Sequence, residues 1–165
     1  MPSGSALGRL MAAGLGSDSG PVVEIGPGTG SLTRALVNAG VPEENLTLIE
    51  MDAQVCALLC RRFPKARIVN APAQEMPALG LSNIGTVISG LPLLNFPHSL
   101  QQEIISAVFQ VLAPGGRLVQ FTYGPRPPIA PEVRDALRLG WQRRGKVWAN
   151  LPPASVYEFH RAAPH

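Results

Sequence analysis

Glu24-Ile25-Gly26-Pro27-Gly28-Thr29-Gly30 sets an acid two residues ahead of three alternating glycines. Glycines at every second position let the backbone pass close to a ligand, because no Cβ stands in the way. A helix opening at Ser31-Leu32-Thr33 would offer free amides to a negatively charged group such as a carboxylate. A second acid, Glu50, ends the apolar run Leu46-Thr47-Leu48-Ile49 and stands 20 residues beyond Gly30. An acid at the tip of a second strand can accept hydrogen bonds from both hydroxyls of a ribose. The spacing is G-x-G-x-G, whereas a dinucleotide fingerprint wants G-x-G-x-x-G, and position 31 is Ser. The turn taken alone says little; turn, acid spacing and strand context together carry the reading.

These residues need elements to hold them. The apolar patterning predicts strands at 21–26, 45–50, 67–70, 85–89 and 117–123. Helices are predicted at 6–13, 31–39, 53–63, 99–112 and 131–139, with Asp52 as an N-cap and Pro114-Gly115-Gly116 as a stop. Two final strands, 142–149 and 155–161, have no helix between them and should pair antiparallel. Strand and helix otherwise alternate, which predicts an α/β fold: a mostly parallel, seven-stranded sheet with helices on both faces. In such sheets ligands sit at the carboxyl ends of the strands. That rule collects the loops 26–31, 50–52, 70–75 and 89–97 in one place.

A chain of 165 residues fits one domain, 1–165. No apolar run approaches the roughly 20 residues needed to span a bilayer, and the Gly/Ser/Ala-rich start lacks the core of a signal peptide. Cys56 and Cys60 lie four apart on one predicted helix. No histidine or second cysteine pair completes a zinc set, so they read as packed thiols in a reducing compartment, and no metal is expected. The net charge is +3. The basic residues crowd toward the end, at Arg134, Arg138, Arg143, Arg144, Lys146 and Arg161, and most read as a solvated face.

E-x-G-x-G-x-G followed by a strand-ending Glu resembles the S-adenosylmethionine site of class I methyltransferases. Further stretches narrow the resemblance: S-G-L-P-L-L-N-F-P at 89–97, L-A-P-G-G-R-L-V-Q-F-T-Y-G at 112–124 and V-W-A-N-L-P-P-A-S-V-Y-E-F-H-R at 147–161. They are similar to bacterial phospholipid N-methyltransferases, relatives of the ribosomal RNA adenine dimethyltransferases. The likeness runs from residue 2 to about 161.

The resemblance implies a single Rossmann-like domain. Its cofactor would be S-adenosylmethionine, with S-adenosylhomocysteine as product. Successive methyl transfers to the amine of phosphatidylethanolamine would lead toward phosphatidylcholine. Cofactor contacts are implied for Glu24, Gly26, Pro27, Gly28, Gly30, Glu50, Met51, Ala73, Gln74, Ser89, Gly90 and Leu91. At 70–76 the family usually offers an Asp to the adenine amine; here Gln74 or the backbone around Ala73 must do it. At 89–97 amine-methylating relatives carry N/D-P-P-Y/F. Ser89 replaces the Asn or Asp and Leu93 the aromatic, so a flat base loses its clamp. Ser89 and Gly90 carbonyls and Tyr123 are the implied catalytic groups, while His98 reads as a surface residue at a helix start. The expected partner is phospholipid at an anionic membrane surface rather than nucleic acid. The expected protein is a cytoplasmic monomer, peripheral on the inner face of the plasma membrane. Relatives dock through an amphipathic helix ahead of residue 2. Residues 6–13 are too short to replace it, so weak vesicle binding is expected. Two alternatives stand beside this reading: a ribosomal RNA adenine N-methyltransferase and a non-catalytic S-adenosylmethionine-binding module.

Overall fold

The computed structural model describes residues 5–148 and 153–162. Short apolar segments cross the molecule as strands, and amphipathic helices return between them. The chain runs α1 (Ser5–Met11), β1 (Val22–Ile25), α2 (Ser31–Asn38), β2 (Leu46–Glu50), α3 (Ala53–Arg62), β3 (Arg67–Asn70) and β4 (Ile84–Ser89). It continues with α4 (His98–Val111), β5 (Leu112–Thr122), α5 (Pro131–Ala136), β6 (Leu139–Val147) and β7 (Ala154–Arg161). Short 3-10 turns at Glu43–Asn45, Ala73–Leu79 and Leu93–Asn95 fill the connections.

The seven strands form one sheet in the order β3-β2-β1-β4-β5-β7-β6. β1 to β5 are mutually parallel, and β7 lies antiparallel between β5 and β6. This agrees with the predicted α/β fold and with the antiparallel final pair. β1 is buried at every position because both faces are covered. On one face Leu7, Met11, Leu36, Leu59 and Phe63 pack over Val22, Leu48, Ile88 and Val156. On the other, Ile104, Ile105 and Val108 of α4 pack over Val23, Val87, Leu118 and Phe159.

Boundaries differ from expectation at two places. β5 begins at Leu112, which pairs with Ile84; the chain then bulges through Ala113–Gly116 and rejoins as Arg117 opposite Thr86. The Pro-Gly-Gly stop is thus an excursion inside a strand span, and the helix ends at Val111. β6 begins at Leu139, directly after Arg138 turns the chain with a left-handed φ of 56°. That turn shortens the helix expected to run to 139. Residue 149, the expected end of this strand, lies outside the described residues, as do 1–4 and 150–152.

Candidate functional site

The carboxyl ends of β1, β2 and β4 are tied together by the backbone. Gly26 N–H donates to the Ile49 carbonyl at 3.2 Å, and Gly90 N–H donates to the Ile25 carbonyl at 2.9 Å. Glycine is required at both positions. A Cβ on Gly26 would stand 2.6 Å from Leu91 Cδ2, and one on Gly90 would stand 2.6 Å from the Gly26 carbonyl oxygen. Gly30 is also a packing glycine: with φ 98° it turns into α2, and a Cβ there would meet the Phe63 ring at 2.7 Å. Gly28 differs. Its φ is 55°, it is exposed, and a Cβ there would meet nothing within 4 Å. Arg62 of α3 donates to the Thr29 carbonyl and fixes the turn from its far side. Pro27 is buried beneath it.

Glu50 reaches into this turn. Its Oε1 accepts from Gly28 N–H at 3.3 Å and its Oε2 from Asp52 N–H at 2.9 Å. Each carboxylate oxygen has a further acceptor direction to offer. Asn70 of β3 holds the segment below, donating from Nδ2 to the carbonyls of Glu50 (3.0 Å) and Met51 (2.8 Å). Asp52 caps α3 as predicted, accepting from Gln54 and Val55 amides. Gly26, Glu50, Met51, Ala73, Gln74 and Leu91 line one cleft of about 210 Å³. Met51 is 72% exposed at its rim, whereas Ala73 is buried in its wall.

A second cleft, of about 450 Å³, lies beyond Leu91. It is lined by Gly90, Leu91, Pro92, Leu93, Leu94 and Asn95 on one side and Phe121, Thr122, Tyr123, Gly124 and Pro128 on the other. Gly90 and Leu91 form its border with the strand ends, and Leu91 lines both clefts. Ser89 has no exposed surface; its hydroxyl accepts from Leu91 N–H at 3.2 Å and so shapes the loop from within. Tyr123 stands edge-on to Phe121, and burial pushes its phenol above the usual range.

Two amide side chains absent from the sequence expectation position these loops. Gln120 donates to the Leu91 carbonyl at 2.7 Å. Gln101 donates to the Leu93 carbonyl at 2.8 Å and accepts from Ala130 N–H at 3.0 Å. The available signal was polarity out of place: Gln101 shares the apolar face of α4 with Ile105 and Val108, and Gln120 interrupts a buried strand.

Glu24 takes part from below. Its carboxylate has no exposed surface, accepts from the Thr33 hydroxyl at 2.5 Å, and leaves Oε2 without a hydrogen-bond partner. Burial pushes its pKa from 4.5 up to about 7, with the Thr33 hydrogen bond opposing in part. Because the folded pKa is the raised one, the folded protein holds a proton that the unfolded chain has lost between those values. Stability therefore falls as pH rises from about 4.5 to about 7 and then levels off. The full penalty is roughly 3 kcal/mol, at 1.36 kcal/mol per pKa unit. Glu24→Gln mimics the protonated acid. Its stability relative to the wild type should climb across that window by up to this amount, as read by urea unfolding between pH 4.5 and 8. A pH-independent difference would show that Glu24 does not titrate there.

Three other expectations meet the structure directly. His98 is exposed at the start of α4, as expected, 3.6 Å from Glu132. Cys56 is buried, but Cys60 is exposed on the outer face of α3, so only one of the two thiols is packed. Of the six basic residues of the tail, Arg138, Arg143, Lys146 and Arg161 are exposed, as expected. Arg144 is half-buried in an ion pair with Glu158, while the guanidinium groups of Arg134 and Arg161 lie against Trp141 and Phe109.

The methyltransferase domain family matches residues 22–116, the segment that holds the glycine turn, Glu50 and the Leu91 loop. The chain belongs to the class I S-adenosylmethionine-dependent methyltransferases. It is 30% identical over 145 residues to an ornithine lipid N-methyltransferase of Singulisphaera acidiphila, covering 82% of this chain and 73% of that protein. It is 37% identical over 83 residues to a ribosomal RNA small subunit methyltransferase A of a Synechococcus species, covering 46% of this chain and 28% of that one. Among solved structures, the N-methyltransferase NodS of Bradyrhizobium japonicum, in complex with S-adenosylhomocysteine, superposes with a TM-score of 0.71. It shares 16% identity, over 94% of this chain and 83% of that one, and shows the fold alone.

S-adenosylmethionine is the cofactor of this methyltransferase family, and the first cleft suits it. Open space above Gly28 admits a ligand at the turn, and a strand-tip carboxylate with spare acceptor directions stands beside it.

Proposed function

We propose that this methyltransferase acts on the amine of a phospholipid, phosphatidylethanolamine, and repeats the transfer toward phosphatidylcholine. The observation that carries the reading is the second cleft. It is walled by Leu91, Leu93, Leu94, Phe121 and Pro128, carries no charged side chain among its lining residues, and meets the first cleft at Leu91. An apolar trough suits the glycerol and acyl portion of a lipid, with its amine led to the shared border at Gly90 and Leu91. The ornithine lipid relative supports a lipid amine as the acceptor class.

Glu50 would hold the ribose and Gly28 would give it room. Gly26, Pro27 and Gly30 shape that turn, and Glu24 supports it from beneath. Met51, Ala73 and Gln74 would border the adenine. When bound, S-adenosylmethionine supplies a methyl group already activated by its sulfonium. The protein's task is then alignment and exclusion of water. An alkylammonium titrates near 10.4, so the attacking amine must first lose a proton to solvent. The carbonyls of Ser89 and Gly90 would accept from the remaining N–H bonds and orient the lone pair. Tyr123, with its phenol held above its usual range, stays neutral and acts as a hydrogen-bonding wall rather than a base.

The test is transfer of radiolabelled methyl groups with phosphatidylethanolamine micelles and ribosomal RNA offered side by side. Label in mono-, di- and trimethylated lipid is expected. Label confined to RNA would sink the proposal. Label in neither, with S-adenosylhomocysteine still bound, would leave a non-catalytic binding module.

A further inference from the structure

The outermost strand carries an exposed row of aromatic and basic side chains that the reaction does not use. In β6, Arg143 pairs with Tyr157 and Lys146 with Ser155, whereas Gly145 pairs with Val156 and Val147 with Ala154. The register slips between Arg143 and Gly145, so one extra residue is accommodated there. The slip sends Arg144 inward to the Leu10 and Met11 carbonyls of α1, and it leaves Arg143 and Lys146 on the opposite face. Trp141 lies on that same face, against the Tyr157 ring, and so does Trp148, stacked under the Lys146 ammonium at 4.4 Å.

All four are exposed, Trp141 at 42% and Trp148 at 71%. The acid of the neighbouring strand, Glu158, is on the α1 side, bound by Arg144 and Arg117. The acids of α5 are Glu132 and Asp135, and Glu132 faces His98.

We infer that Trp141, Arg143, Lys146 and Trp148 form a docking stripe for the anionic surface of a lipid bilayer. Indoles with one wet edge settle at the headgroup level, and cations beside them answer the charge of anionic lipid. The stripe is also placed for the job. Thr122 pairs with Ser155 and Val147 with Ala154, so Tyr123 and Trp148 emerge at the same end of the sheet. That is the end onto which the lipid-sized cleft opens, where Leu94 is 44% exposed. The slipped register breaks the row of free backbone groups that a strand from another chain would need, which favours a surface over strand addition. This inference rests on the lipid reading above and adds to it where the protein touches the membrane.

The experiment is co-sedimentation with vesicles of phosphatidylcholine alone, or mixed with phosphatidylglycerol, at low and high salt. The wild type should bind the anionic vesicles, and salt should release it. Arg143→Glu/Lys146→Glu should weaken that binding by at least about 25-fold, about five-fold for each cation removed. Trp148→Ser should also weaken the binding at low salt, although it removes no charge. Arg61→Glu/Lys65→Glu makes the same charge change on the far side of the sheet and should bind as the wild type does. Transfer to phosphatidylethanolamine in detergent micelles should be the same in all these proteins. Wild-type vesicle binding by the stripe variants, equal loss in the Arg61/Lys65 variant, or a loss seen for RNA and not for vesicles would overturn the stripe. Vesicle binding through the stripe without any transfer to micellar lipid would support the docking surface and overturn the lipid substrate.

Discussion

Gly28→Val should abolish S-adenosylmethionine binding while the sheet stays folded. In the protein alone a Cβ at Gly28 meets nothing within 4 Å, so the substitution costs the fold only the left-handed φ of 55°, about 1–2 kcal/mol. The space it fills lies beside the amide that points at Glu50. A branched side chain there would displace the ligand, a loss on the order of 3 kcal/mol or more than a hundredfold. Gly30→Ala should do the reverse. Its methyl would press on the buried Phe63 ring at 2.7 Å, so stability should fall by about 2 kcal/mol, and affinity only as far as the turn shifts. Calorimetry with S-adenosylhomocysteine and thermal unfolding of both variants separate the two roles. Normal affinity in Gly28→Val would remove the glycine turn from the cofactor site.

Glu50→Ala should weaken the same binding by about 1.5–3 kcal/mol, the scale of hydrogen bonds to a charged acceptor. The carboxylate has two tasks: it spans Gly28 N–H and Asp52 N–H, and it presents its remaining acceptor directions to the cleft. Both amides are exposed and can turn to water when it is gone, so the loss should appear in affinity rather than in stability. Glu50→Gln, which keeps one acceptor oxygen, should fall between. Unchanged affinity in a folded Glu50→Ala protein would take Glu50 out of the ribose site.

Much of this architecture was legible because it is written locally. Apolar runs marked β1 to β4, Asp52 announced its helix, and the glycine turn named its strand and its helix together. The carboxyl-end rule then gathered the right loops. What sequence could not supply was long-range. Gly30 looks like its neighbour Gly28, and only the fold shows that one glycine faces an aromatic ring and the other faces open space. Gln101 and Gln120 serve carbonyls 8 and 29 residues away, so no local pattern reveals their partners. The basic residues of the tail looked alike in sequence; a one-residue slip in β6 decides that Arg144 turns inward to α1 while Arg143 and Lys146 face solvent.

The place of β7 has a consequence for how the chain is made. It follows β6 in the chain, yet it sits inside the sheet, between β5 and β6. α1 emerges long before it, and Arg144 of β6 satisfies the terminal carbonyls of that helix from more than 130 residues downstream. Until β7 arrives, β5 and β6 each have an unpaired side where it belongs, and Arg144 lacks the carboxylate of Glu158. Such open edges invite pairing with other nascent chains. Synthesis should therefore yield the native sheet only once β7 has left the ribosome. A nonsense mutation between the end of β5 and Ala154 should leave insoluble product, even though such a chain keeps the glycine turn, Glu50 and the Leu91 loop.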